Sequence, residues 1–123
     1  MILETNARNA LADAFDALVN TGAGTAELRL QTSGDVEVAT FALPNPAFGA
    51  ASGGVITGQG TPIQDTSATG GTVAQGSIFN RNGDKVSESA AATSGQEITM
   101  SSLVVGVGET VTLTALTVTQ PSS

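Results

Sequence analysis

The chain has 123 residues, of which 61 are Ala, Thr, Gly or Ser, and it contains no His, Cys, Trp or Tyr. Without His or Cys it has no disulfide, no thiol nucleophile, no His general base and no structural zinc site. A formal net charge of −7 disfavours nucleic acid and anionic membranes as partners, and no apolar run approaches the ~18 residues of a membrane span.

Large apolar side chains are few, since Val, Leu, Ile and Phe together number 29. We therefore expect one folded domain over residues 1–123 with a small core. The start of the chain, Met1-Ile2-Leu3-Glu4, has no basic segment before an apolar one, so it predicts no secretion signal. The lack of Cys fits synthesis in a reducing cytoplasm.

The spacing of apolar residues predicts a helix over about residues 5–20. Its apolar stripe is narrow and consists of Ala7, Leu11, Ala14, Phe15 and Leu18. Thr5 or Asn6 is expected to cap the start, and Gly22 or Gly24 to take the left-handed conformation that ends the helix. Because an isolated helix of this length is marginal in water, we expect it to pack at an edge of a sheet. Whether the helix covers only that sheet or also contacts a neighbouring subunit or another protein stays open.

Two hairpins follow from alternating apolar and polar residues. Residues 28–30 and 36–40 alternate on either side of Ser33-Gly34-Asp35, which supplies a turn. Asn82-Gly83 is predicted to form the centre of a type I′ turn that joins residues 76–81 to residues 85–91, because both residues tolerate positive φ.

The remaining strands are short and separated by Gly and Pro. They are predicted at residues 55–57, 63–65, near Val73, at 97–100, 103–105 and 110–119. The last alternates Thr with Val, Leu or Ala, and a slip at Ala115-Leu116 indicates a bulge. About eight short strands and one leading helix are typical of a mainly β fold, and we predict an antiparallel β-sandwich of Greek-key or jelly-roll kind. The tail over residues 120–123 is expected to fray.

One aromatic residue is a candidate for the end of the core. Phe48 follows the Pro-restricted turn Leu43-Pro44-Asn45-Pro46 and precedes Gly49-Ala50-Ala51. A large ring among small residues predicts a buried plug; the alternative is an exposed anchor at an interface.

Carboxylates are the only catalytic or metal-binding groups in quantity, and no pattern of them predicts a site. Residues 80–84, Asn-Arg-Asn-Gly-Asp, have oxygen ligands at alternate positions, as a calcium loop does. However, no Glu follows at the required distance, and Arg81 and Lys85 oppose a cation, so a plain hairpin turn is the better interpretation. We predict no catalytic, cofactor-binding or metal-binding residue, and no enzymatic activity.

Several segments of the sequence resemble segments of small virion proteins of tailed bacteriophages. The segment Leu43-Pro44-Asn45-Pro46-Ala47-Phe48-Gly49-Ala50-Ala51 is the most distinctive of them. The Ala/Asn-rich helix at residues 6–14, the strand at residues 26–30 and the Thr/Val-rich strand at residues 111–119 are also similar to that group. The resemblance covers most of the chain and implies a structural role on the particle.

The resemblance therefore predicts a capsid decoration, or cement, protein on the outer head surface of a virion. Its partners would be the major capsid protein and further copies of itself in a homo-oligomer; a trimer is one candidate form, and the number of copies stays open. The first alternative is a structural protein of the tail or tail tip. The second is a carbohydrate-binding β-sandwich module, against which the absence of Trp and Tyr argues.

Overall fold

The computed structural model describes residues 2–92, 98–100 and 102–120. The helix α1 spans Thr5–Val19. Ten strands follow within the described residues: β1 Glu27–Gln31, β2 Glu37–Ala42, β3 Val55–Thr57, β4 Ile63–Asp65, β5 Gly71–Thr72, β6 Gln75–Phe79, β7 Lys85–Ala92, β8 Ile98–Met100, β9 Val104–Val105 and β10 Val111–Thr119. The first residue of the strand predicted at 97–100 and the last three residues of the predicted tail lie outside the described residues.

Both predicted hairpins are confirmed. In β1, Leu28 and Leu30 are buried and alternate with half-buried polar residues, as the sequence pattern requires. This strand pairs antiparallel with β2 on one side and with β6 on the other, and β6 pairs antiparallel with β7.

The predicted type I′ turn at Asn82-Gly83 is wrong. Gly83 has a φ of +86°, but among the described non-glycine residues only Asp35 has positive φ. The N–H of Gly83 donates to the carbonyl of Asn80, so the central residues are Arg81 and Asn82, and Gly83 follows them. This is the type I turn with a left-handed residue after it, which also matches the twist of the flanking strands.

The β1–β2 turn has the same geometry. The N–H of Asp35 donates to the carbonyl of Thr32, and the N–H of Thr32 donates to the carbonyl of Val36. Thr32 Oγ1 accepts from the N–H groups of Gly34 and Val36, while Asn80 Oδ1 accepts from those of Asn82 and Asp84. In both turns, one side-chain oxygen thus accepts two backbone N–H groups that have no partner in the hydrogen bonding between the strands.

Eight strands form one hydrogen-bonded sheet in the order β2-β1-β6-β7-β8-β10-β3, with β4 also paired to β10. Its pairs are antiparallel except for the parallel pair β7–β8. Strands β5 and β9 form a separate two-stranded ribbon. The ends of the sheet approach each other, because Asp65 Oδ2 of β4 accepts the N–H of Thr40 in β2 at 2.9 Å. The N–H of Thr69 donates to the carbonyl of Val38 at 2.8 Å beside this junction.

Strand β10 contains the predicted bulge. Its pairing with β8 shifts by one residue between Leu113 and Ala115. Val111 and Leu113 are buried before the shift and Leu116 after it, so the extra residue returns the apolar side chains to the same face.

The core lies inside this curled sheet. Its largest fully buried side chains include Phe41, Leu28, Leu30, Ile56, Ile98, Met100, Leu113 and Leu116. Phe48 is 1% exposed, which confirms the prediction of a core position. Its ring meets that of Phe15 of α1 edge-on, with 6.2 Å between the centroids.

The mainly β class with one N-terminal helix and antiparallel sheets is confirmed. The predicted N-cap, Thr5 or Asn6, is wrong. The N-cap is Glu4, one residue before Thr5, and its side chain makes no capping hydrogen bond. Asn6 Oδ1 accepts the N–H of Ala7 from within the first turn. At the other end Asn20 is the C-cap, and Gly22 has the expected positive φ, of +120°, two residues beyond it.

Candidate interaction surfaces

The inner face of α1 is attached to the domain by polar side chains. Four of them accept backbone N–H groups from residues 47–54: Asn9 Oδ1 from Gly54 at 2.7 Å, Asp13 Oδ1 from Ala51 at 2.9 Å, Asp16 Oδ1 from Phe48 at 3.1 Å and Asn20 Oδ1 from Ala47 at 2.9 Å. We call these four residues the helix clamp. Their spacing of four, three and four residues places them on one side of a helix.

Arg8 extends the attachment at the start of the helix. Its Nη2 donates to the carbonyl of Gly53 at 2.9 Å, and its Nε donates to the carbonyl of Gln120 at 3.0 Å. A Cβ on Gly54 would lie 2.8 Å from Arg8 Nε, so glycine at position 54 leaves the space that the guanidinium occupies. Arg8 thereby ties the helix to both the 47–54 segment and the end of β10.

The clamp exists because the 47–54 segment is mostly outside the sheet. It follows Pro44 and Pro46 and consists mostly of small residues. It therefore leaves backbone donors that no strand pairs, and such donors need acceptors when water is excluded. The helix supplies carboxylate and amide oxygens at matching intervals. Burial raises the pKa of Asp16 above its ordinary value of 3.8, although the hydrogen bonds from Asn20 and Phe48 act in the opposite direction.

The clamp turns most of the predicted apolar stripe away from the domain. Phe15 faces inwards, together with Ala12 and Val19, which are 2% and 0% exposed. Leu11 and Leu18 are 47% and 46% exposed, Ala14 is exposed and Ala7 is half-buried. Ala10 and Ala17, also exposed, lie beside them. We call Ala7, Ala10, Leu11, Ala14, Ala17 and Leu18 the outer seam.

A second exposed apolar region lies where the β1–β2 turn meets the β5–β9 ribbon. Val36, Val104 and Val107 are 61%, 70% and 86% exposed, and we call them the valine end. A Cβ on Gly70 would touch Val107 at 3.0 Å, and one on Gly71 would touch Thr32 of the β1–β2 turn at 3.4 Å.

The two regions belong to opposite ends of the sheet. Strand β1 starts near the loop after α1, where the N–H of Gly24 donates to the carbonyl of Arg81, and ends at the turn that carries Val36.

Asn80 has a structural role in its turn. It is 3% exposed, and its Oδ1 already accepts two backbone N–H groups. Within the ranges that the structure describes, no three acidic side chains come together as metal ligands and no ligand-sized pocket opens. The described part of the chain also has no helix long and apolar enough to cross a membrane.

The predicted apolar stripe contains four of the outer-seam residues, all except Ala10 and Ala17, but the sequence pattern was not used to predict the helix clamp or the valine end. The clamp had a usable signal, because Asn9, Asp13, Asp16 and Asn20 recur with helical periodicity. Val36 lies far along the chain from Val104 and Val107, and only the fold brings it to the same end of the sheet. Comparison of the chain with protein-family models, with curated proteins and with solved structures found no match.

Proposed function

We propose that this protein is a decoration, or cement, protein of a bacteriophage virion, which binds the outside of the head and stabilises the contacts between capsomers. The observation that carries the proposal is the presence of two separate apolar surfaces, the outer seam and the valine end. A cement protein must hold at least two neighbours at once, so it needs two binding surfaces on one body. Exposed apolar regions of this kind mark interaction sites on protein surfaces.

The valine end is the surface that we assign to the major capsid protein. Val38 of β2 and Val111 of β10 are 0% and 2% exposed, whereas Val107 is 86% exposed. Burial of apolar surface on the coat protein would supply binding free energy without any catalytic group.

The attachment of α1 supports a role in joining neighbours. Each hydrogen bond of the helix clamp contributes about 0.5–1.5 kcal/mol net, and more where the acceptor is a carboxylate. The helix is therefore fixed on the domain, and a force applied to its outer seam is transmitted to the sheet. A bridge between capsomers requires that connection.

The proposal is tested on phage heads from which the protein has been stripped. Added back, the purified protein should restore resistance to heat and to chelators, because its interfaces must break before the shell opens. The variant Val107→Glu should bind heads less well, while Gln59→Glu, which adds the same charge at an exposed residue outside both apolar surfaces, serves as its control. Failure to bind stripped heads at any salt concentration, with localisation to isolated tails, would favour the tail protein instead.

A further inference from the structure

The outer seam has the spacing of a helix that packs against another helix. Ala7, Leu11, Ala14 and Leu18 are separated by four, three and four residues. This is the repeat of 3.5 residues by which one helix presents a continuous apolar line to a partner helix. Leu11 and Leu18 are nearly half exposed, so the line is open in the single chain.

Leu and Ala alternate along the seam, and this order decides how two such helices fit. In an antiparallel pair centred between Ala12 and Asp13, Leu11 of each copy lies opposite Ala14 of the other copy. By the same symmetry, Leu18 lies opposite Ala7. Every layer then combines one large and one small side chain, so the distance between the helices stays constant along the contact.

Parallel arrangements lack this fit. Two parallel helices in register place Leu against Leu and Ala against Ala, which makes wide and narrow layers alternate. A threefold axis does the same, because it brings identical residues together. The seam is therefore complementary to itself when the twofold axis is perpendicular to the helices, as in an antiparallel pair. Twofold symmetry is the commonest symmetry of homo-oligomers.

The charges of α1 favour the same partner. Its three charged residues are Arg8, Asp13 and Asp16, and each is hydrogen-bonded to backbone groups of its own domain. The outer seam itself contains only Ala and Leu. Two copies with a net charge of −7 each can meet at the seam without placing carboxylates of the seam against each other.

We propose that two copies of this protein form a dimer in which the outer seams pack antiparallel about a twofold axis. The pairing does not depend on capsid binding. A 15-residue helix is about 22 Å long and about 10 Å wide, so the strip that the seam can bury is much smaller in area than a standard interface of about 800 Å² per partner. The dimer is accordingly weak in solution and strengthens where many copies are held side by side.

Sedimentation velocity tests the pairing at concentrations from about 1 to about 500 μM, the range of weak association. We expect a monomer–dimer equilibrium that the double variant Leu11→Glu with Leu18→Glu abolishes over the same range. Both side chains are nearly half exposed, and circular dichroism checks that the variant folds. The matched control Val107→Glu adds a charge at another exposed apolar site and should dimerise as the parent does.

Disulfide trapping tests the direction of the helices, because the chain has no Cys of its own. A mixture of Leu11→Cys and Ala14→Cys chains should form the mixed disulfide in preference to either homodimer. A trimer, a monomer throughout the concentration range, or a preference for the disulfide between two Leu11→Cys chains would each overturn the proposal. If the parent chain binds heads normally but stays monomeric, the pairing alone is refuted, whereas normal dimerisation of the parent chain without head binding would refute the cement function alone.

Discussion

Replacement of Asp16 by Asn should remove part of the pH dependence of folding. The carboxylate of Asp16 accepts hydrogen bonds from the N–H of Phe48 at 3.1 Å and from Asn20 Nδ2 at 3.0 Å. Burial nevertheless raises its pKa above the ordinary value of 3.8. The folded protein thus holds the Asp16 proton more tightly than the unfolded chain does. Stability from this group is fully present below pH 3.8 and is lost as the pH rises through the higher pKa of the folded state.

The size of the effect follows from which contacts survive. In Asp16→Asn, the amide oxygen still accepts both hydrogen bonds and no charge is buried, so the free energy of unfolding at neutral pH should stay equal or rise slightly. In Asp16→Ala, the Phe48 N–H loses its acceptor beside the core, which should lower the free energy of unfolding by about 1–3 kcal/mol. Asp84→Asn, which removes one charge from an exposed residue outside α1, controls for the change in net charge.

Urea titrations at several pH values between about 3.5 and 7 measure these differences. Far-ultraviolet circular dichroism is the suitable signal, since the chain contains neither Trp nor Tyr. The difference between Asp16→Asn and the parent should move in favour of the variant as the pH rises. A difference that is flat with pH, or a loss as large as that of Asp16→Ala, would refute this account of the helix clamp.

Three further contacts can be tested by the same urea titrations. Phe48→Ala should lower the free energy of unfolding by about 3–5 kcal/mol, because a buried ring leaves a cavity; a loss below about 1 kcal/mol would show a site that collapses. Gly54→Ala should lower the free energy of unfolding more than Gly53→Ala does. Both glycines have positive φ, but only a Cβ at position 54 would meet the guanidinium of Arg8. Equal losses would contradict that contact. Asn80→Ala should lower the free energy of unfolding by about 1–3 kcal/mol, and Thr32→Ala should lower it by less. The two turns share one geometry, but Asn80 is buried and Thr32 is only half-buried. A larger loss for Thr32→Ala would mean that burial does not determine the difference between the two variants.

Features with a local cause could be predicted from the sequence. The alternation around residues 28–40 specified a hairpin because one face of the strands is buried, and a shift by one residue would turn those faces around. The slip at Ala115 predicted the bulge of β10 for the same reason. Phe48 was placed in the core because no other large side chain stands near it to fill that end.

The features that failed depend on polar contacts that the pattern of apolar residues does not encode. The Asn82-Gly83 pair suited a type I′ turn, but Asn80 offers an oxygen that satisfies two backbone donors only in the observed turn. The apolar stripe of α1 suggested that the side with Leu11 and Leu18 would face the sheet. Instead, unpaired donors of residues 47–54 attract the polar side, and only Phe15 of the stripe turns inwards to the core. Sequence periodicity locates the faces of a helix but does not say which face a distant loop needs.

The salt dependence of dimerisation distinguishes a dimer held by apolar contacts at the outer seam from one held by ion pairs. Each copy carries a net charge of −7, so two copies repel each other as they approach. Screening reduces that repulsion over about 10 Å at 0.1 M salt, while contacts between Ala and Leu are little affected. The dimer should therefore tighten as sodium chloride is raised from about 0.02 to about 0.3 M, a range in which the Debye length falls several-fold. Weakening over the same range would show that cationic side chains pair with carboxylates of the second copy, and the outer seam would then not be the contact.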